Sequence, residues 1–194
     1  MKRVCVFCGS ALGRRAVYAD AARAMAAALL DRGLGLVYGG GSVGLMGVLA
    51  DAVLAGGGEV IGVIPRPLAS KELAHPGLTD MRVVDSMHER KALMASLADG
   101  FVAMPGGLGT FEETFEILTW SQLGIHRKPI GLLNVEGYYD GLLALIGHGL
   151  DQGFVPRQCR SLFVSAATPQ SLLDAMEAWR PPDYPGRWLT IAQT

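Results

Sequence analysis

The sequence lacks any cluster of metal-ligating residues. Its four histidines, His75, His88, His126 and His148, are scattered without the His-x-x-x-His or Cys/His spacing of a tetrahedral site, so no metal is expected. Cysteine is scarce and odd in number: Cys5, Cys8 and Cys159. The first two fall in an apolar, strand-like run, where side chains three positions apart face opposite sides. Neither a disulfide framework nor a redox Cys-x-x-C pair is expected. Net charge is nearly absent as well. Lys and Arg total 17 against 18 Asp and Glu, a formal charge of -1, which gives no general attraction to nucleic acid or an anionic membrane. Any anion site has to be local. No uncharged apolar stretch of about 18 residues is present to span a bilayer. Met1-Lys2-Arg3 followed by Val4-Cys5-Val6-Phe7-Cys8 has the order of a signal peptide, but the run breaks at Gly9-Ser10 and meets Arg14-Arg15 where small residues should be cleaved. A soluble cytoplasmic protein without nucleic-acid or membrane partners is the expectation.

Apolar residues make up 50% of the 194, enough for one domain with a sizeable core. They come as short runs, Arg3 to Cys8, Leu34 to Tyr38, Val60 to Ile64, Met81 to Val84, Phe101 to Met104, Ile130 to Leu133 and Leu162 to Val164. Helical patterns alternate with them over Ala16 to Asp31, Gly44 to Ala55, Met87 to Ala98, Phe111 to Leu123, Tyr138 to Gln152 and Gln170 to Trp179. This rhythm predicts an α/β fold: one Rossmann-like, doubly wound parallel sheet over residues 1–180, with helices on both faces and ligands beyond the carboxyl ends of the strands. Pro65 to Thr79 has no clear pattern and the length of a lid or binding segment. Residues 181–194 read as a proline-rich tail packed extended on the surface.

Two glycine-rich turns fall at predicted strand ends. Pro105-Gly106-Gly107-Leu108-Gly109-Thr110-Phe111-Glu112-Glu113 opens into a helical pattern. There, backbone N–H groups and the positive end of the helix dipole can hold a phosphate. Gly39-Gly40-Gly41-Ser42-Val43-Gly44 satisfies G-x-G-x-x-G, but it follows the second strand and has no acidic residue at the end of the next one. NAD is therefore disfavoured, leaving phosphate or ribose binding or a structural tight turn. Thr110 and Glu113 are spaced as a helix capping box, so spacing alone explains them as a cap just as well as a catalytic carboxylate beside a phosphate. Ser86 and Glu89 have the same spacing. The adjacent Arg90 and Lys91 oppose the helix dipole unless an anion or carboxylate is near, the alternative being a solvated pair. Glu112, Glu116 and Thr119 share another helical face that solvation explains.

Pro105 to Glu113 resembles the P-G-G-x-G-T-x-x-E signature of the Lonely Guy cytokinin-activating phosphoribohydrolases, and Met87-His88-Glu89-Arg90-Lys91 resembles their second motif. The likeness extends through Val6 to Ser10, Tyr38 to Gly41, Gly44 to Gly47, Gly62 to Pro65 and Thr119-Trp120 to Leu132-Leu133-Asn134. It implies hydrolysis of the N-glycosidic bond of N6-modified adenosine 5'-monophosphates, with unmodified AMP as a further candidate substrate, to free base and ribose 5-phosphate, with no cofactor. It implies Arg90 and Glu113 as the catalytic pair. Substrate contacts are implied from Glu72, Arg90, Lys91, Gly107, Leu108, Gly109, Thr110, Phe111, Glu112, Glu113 and Thr119. Gly39, Gly40, Gly41, Ser42 and Gly106 join them as phosphate-loop candidates. The resemblance further implies a homodimer with sites near the subunit interface. Relatives have also carried a lysine decarboxylase label, for which this chain shows no pyridoxal-phosphate framework. The alternative from another class is a nucleotide or molybdenum-cofactor carrier on the same fold, which needs the loops but no positioned carboxylate.

Overall fold

The apolar runs Val4 to Cys8, Leu34 to Tyr38, Val60 to Ile64, Phe101 to Met104 and Ile130 to Leu133 are buried along their whole length, as strands covered on both faces must be, whereas Met81 to Val84 is partly exposed. The computed structural model describes residues 1–69 and 74–182. In it the runs form β1 (Arg3–Phe7), β2 (Gly35–Tyr38), β3 (Val60–Pro65), β4 (Asp80–Val84), β5 (Gly100–Ala103), β6 (Ile130–Leu133) and β7 (Val164–Ala166). Helices α1 (Ala16–Asp31), α2 (Gly44–Ala55), α3 (Arg66–Leu68), α4 (Met87–Leu97), α5 (Leu108–Gln122), α6 (Asp140–Asp151) and α7 (Pro169–Ala178) alternate with them. All seven strands pair in parallel in the order β4-β3-β2-β1-β5-β6-β7. The order reverses between β1 and β5. At such a switch the outgoing loops diverge and leave a crevice, here bridged by the Gly9 N–H donating to the Pro105 carbonyl at 3.1 Å.

Alternation along the strands divides the core. Val4 and Val6 of β1 pack with Leu36 of β2 under Leu29 of α1, Leu49 of α2 and Leu173 of α7. Cys5 and Phe7 face the other way and pack with Val37, Met94 of α4 and Ile117 of α5. Burying each large aliphatic side chain contributes about 1.5–3 kcal/mol, so both helix layers are held by the same strands. Cys5 and Cys8 lie in different core layers and are not joined to each other.

Several boundaries shift from the sequence pattern by a few residues at most, and two of the shifts have a visible cause. The final strand is Val164–Ala166 rather than Leu162 to Val164, because a 3-10 turn at Arg157–Ser161 ends in Leu162, which is buried in the second core layer. Helix α5 begins at Leu108, three residues before the predicted Phe111. The proline-rich connection is tied down at its far end, where the His75 N–H donates to the Gly40 carbonyl at 2.9 Å. Glu72, and the tail from residue 183 onward, lie outside the described residues.

Candidate active site

Loops leaving the carboxyl ends of β1, β2, β3 and β5 wall a cleft of about 390 Å³. Its polar side is formed by Gly39 and Gly41 after β2, Arg90 on α4, and Gly107, Leu108, Gly109, Thr110, Glu112 and Glu113 at the start of α5. Its apolar side comes from Met46, Ile64, Leu68 and Met87, and Cys8 and Ser10 close the end at β1.

The N-cap of α5 is Gly107, with extended backbone and no side-chain cap. The first N–H groups of an α-helix have no acceptor inside it, and here they border the cleft. A Cβ built on Gly107 or Gly109 would meet nothing within 4 Å, so this stretch presents bare backbone to open space. That is the local form of an anion cradle. Gly106 is glycine for another reason: its Cβ would overlap the Thr110 side chain.

This start also decides between cap and carboxylate. With Gly107 as N-cap, Glu113 lies in the second turn, beyond reach of a capping role. Its side chain is 12% exposed and its Oε1 is 3.9 Å from Arg90 Nη1. The other box forms: Ser86 Oγ accepts from the Glu89 N–H at 3.1 Å, while Glu89 Oε2 accepts from the Asp85 N–H at 2.8 Å. This cap starts α4 so that Arg90 enters the cleft from its second turn. Arg90 Nε donates to the Val63 carbonyl at 3.0 Å and Nη2 to the Gly39 carbonyl at 3.1 Å. Two strand ends thus grip the guanidinium and aim Nη1 at Glu113.

Burial pushes the Glu113 carboxyl up to about 7 against the pull of Arg90, with Glu112 adding to the rise, Lys91 opposing it and Glu116 adding a little more. At neutral pH this group is balanced between acid and base, the condition for proton transfer or for a charge that forms on demand. Burial, and then the Glu113 charge, drives the Cys8 thiol far above its ordinary value. Cys8 is therefore a neutral wall.

The sequence-predicted residues separate into groups. Arg90, Glu113, Glu112, Gly39, Gly41 and Gly107 to Thr110 meet in the cleft. Lys91 turns toward α5, where its Nζ donates to Glu112 Oε1 at 2.6 Å and Glu116 Oε1 at 2.8 Å. Burial works against the Lys91 charge, and these two hydrogen bonds outweigh it, raising the ammonium above its ordinary value. Solvation is thus not what the Glu112 and Glu116 face serves. Phe111 packs toward Tyr138, with ring centroids 6.5 Å apart. Thr119 is exposed and donates to the Phe115 carbonyl at 2.7 Å. Gly40 and Gly106 support the loops from behind, at His75 and Thr110. Ser42 sits beneath α2, where a Cβ on Gly47 would overlap its backbone.

Sequence reasoning missed the apolar wall and Tyr138, whose hydroxyl donates to the Gly106 carbonyl. The signal for Tyr138 is its place just after β6, at the edge of the sheet where ligand loops gather.

Comparison with known proteins places the chain by family and by fold. The family described as "Possible lysine decarboxylase" matches residues 46–176. A probable cytokinin riboside 5'-monophosphate phosphoribohydrolase of Oryza sativa subsp. japonica is 55% identical over 177 residues, 91% of this chain and 79% of the relative. A cytokinin riboside 5'-monophosphate phosphoribohydrolase of Arabidopsis thaliana is 51% identical over 180 residues, 93% and 84% of the two chains. Among solved structures, the molybdenum cofactor binding protein of Rippkaea orientalis superimposes with a TM-score of 0.69 at 19% identity, over 92% of this chain and 97% of the other. At that identity the likeness shows the fold alone. The sequence relatives show more: this chain belongs to the family of the cytokinin riboside 5'-monophosphate phosphoribohydrolases.

Proposed function

We propose that the protein hydrolyses the N-glycosidic bond of N6-modified adenosine 5'-monophosphates, and of AMP, releasing the base and ribose 5-phosphate. The observation that carries this reading is the placement of Glu113. It is largely buried in the cleft wall beside Arg90, about 8 Å along the α5 axis from the first helical residue. A phosphate on the N–H groups of Gly107 to Thr110 would place the anomeric carbon of the same ribose near that carboxylate.

The glycosidic C–N bond breaks with its electron pair going to the base, which takes up a proton from solvent, and leaves an oxocarbenium-like sugar. Ionised Glu113 stabilises its positive charge and accepts a proton from the water that adds to the anomeric carbon. Arginine holds its proton too tightly to act as a general acid, so Arg90 orients the carboxylate and stabilises its ionised form. The loop at Gly39 to Ser42 contributes to substrate binding from the facing wall. The family resemblance supports roles for Glu72 and Phe111 as substrate contacts; for Lys91 the ion pairs with Glu112 and Glu116 make that contact indirect, and the Thr119 hydroxyl, implied by the same resemblance, is taken by the Phe115 carbonyl.

A carrier on the same fold would need the cradle but not the paired Arg90 and Glu113, which favours the hydrolase. The working unit is a homodimer whose interface borders the cleft, a reading supported by exposed apolar Met87, Leu108 and Phe115 on α4 and α5. The proposed compartment is the cytoplasm, in keeping with the buried, unbridged thiols of Cys5 and Cys8; no described helix is long and apolar enough to cross a membrane. The test is to offer the protein isopentenyladenosine monophosphate, its unphosphorylated riboside, AMP and NAD, and to measure free base and ribose 5-phosphate. Base release confined to the monophosphates is expected. Its absence from every monophosphate would sink the hydrolase reading.

A further inference from the structure

Behind the anion cradle, successive carbonyls are occupied by donors from elsewhere in the fold. The Met104 carbonyl accepts from Tyr139 Oη at 2.6 Å, Pro105 from the Gly9 N–H at 3.1 Å, and Gly106 from Tyr138 Oη. The Gly107 carbonyl then accepts from the Phe111 N–H at 3.1 Å, inside α5. In a trans peptide the carbonyl and the following N–H point in opposite directions. Fixing these carbonyls away from the cleft therefore turns the N–H groups of Gly107 and Leu108 toward it.

The peptide between Gly106 and Gly107 is the vulnerable one. Glycine on both sides lowers the steric barrier to rotating the peptide plane, and rotation would aim a carbonyl oxygen at the anion. Packing does little to stop it. A second hollow of about 300 Å³, lined by Tyr18, Tyr138 and Pro105 to Gly107, lies on that side of the loop. We propose that Tyr138 is a positioning residue for the 5'-phosphate, its hydroxyl latching the Gly106–Gly107 peptide in the orientation that binds anions.

The ring is prepared for this task. It packs edge-on against Tyr18 at 5.8 Å and Tyr139 at 5.1 Å between centroids. The preceding turn places it there: Glu136 adopts φ 47°, a left-handed conformation disfavoured outside glycine, and pairs with Arg15. Tyr139 makes a similar bond two peptides earlier, but the peptide it holds joins Met104 to Pro105, which has no N–H to present. The two tyrosines thus differ in consequence although they sit side by side.

This inference rests on the cradle holding a phosphorylated sugar, so its test reads binding separately from hydrolysis. Calorimetry with ribose 5-phosphate is expected to show affinity reduced about tenfold in Tyr138→Phe, with Tyr139→Phe within twofold of the parent despite a lower melting temperature. In turnover, Tyr138→Phe raises KM for the monophosphate and leaves kcat unchanged. If Tyr138→Phe keeps full affinity, or if both variants lose it equally, the latch is overturned. Parent protein that binds ribose 5-phosphate without releasing base would fail the hydrolase reading alone.

Discussion

Two glycine-rich turns flank the cleft, similar as sequence and opposite in use. At Gly39 to Gly41 the carbonyls are the working groups: they accept from Arg90 Nη2 at 3.1 Å, the His75 N–H at 2.9 Å and Tyr38 Oη at 3.1 Å. The helix that follows is partly satisfied, since the Leu45 N–H donates to the Gly9 carbonyl at 3.0 Å. At Gly106 to Thr110 the carbonyls are turned away and the N–H groups border open space. One loop holds a cation by its oxygens, and the other offers its nitrogens to an anion. Glycine serves the first by letting a guanidinium approach the backbone and the second by leaving room for a ligand.

The largest effect expected from testing this contrast is at the charge the second loop carries. Glu113→Gln keeps the shape of the site but not its ionisation, and base release should fall by about 10²–10⁴-fold while ribose 5-phosphate still binds. The parent's kcat/KM should rise with pH and level off above about 7, where Glu113 is ionised; a rate that falls through that range would make it the acid instead. Stability runs the other way. The folded state holds this proton up to about 7 whereas the unfolded chain loses it near 4.5, so the parent loses stability as pH rises between those values, by about 3 kcal/mol at most. Melting curves should show Glu113→Gln gaining on the parent from pH 4 to pH 8.

Alanine in each loop separates their roles next. A methyl at Gly39 overlaps Arg90 Nη2 and should displace it, lowering the melting temperature and cutting kcat by about 10²-fold, as misplacement of a catalytic group does. Gly107→Ala enters open space, so folding should survive while KM for the monophosphate rises. Equal melting losses in the two variants would erase the distinction.

Lys91→Met removes both ion pairs between α4 and α5 and should cost about 2 kcal/mol. It should also move the acidic limb of kcat/KM to higher pH, because a cation that favours ionised Glu113 is gone. A rise in KM specific to the phosphorylated substrate would instead show that Lys91 reaches the phosphate. The smallest change is expected of Thr119→Val, whose hydroxyl serves the Phe115 carbonyl. KM within about twofold and stability within about 0.5 kcal/mol fit that position; a marked KM increase would bring Thr119 into the binding surface.

Most strands were legible because burial on both faces leaves continuous apolar runs. β7 was not, because Leu162 is apolar for the sake of a turn packed on the core. The start of α5 was hidden by Gly107 and Gly109, which read as loop although Gly107 is the N-cap and Gly109 lies inside the helix. The meaning of Thr110 and Glu113 stayed open for the same reason: a capping box is a spacing of three, and only the true first residue says whether it caps. Arg90 and Lys91 were visible as two misplaced cations. Their separation, one onto strand-end carbonyls and the other onto α5, depends on neighbours far away in the chain.

The grip on Arg90 also ties catalysis to the order of assembly. Its two carbonyl partners belong to β3 and to the turn after β2, strands that pair only through a helical crossover. Parallel pairing of that kind requires distant segments to meet before it returns any stabilisation. A refolding chain can form α4 and α5 early and still have no aligned guanidinium. Recovered activity after dilution from denaturant should therefore report the docking of β3 on β2, lagging the return of helical signal.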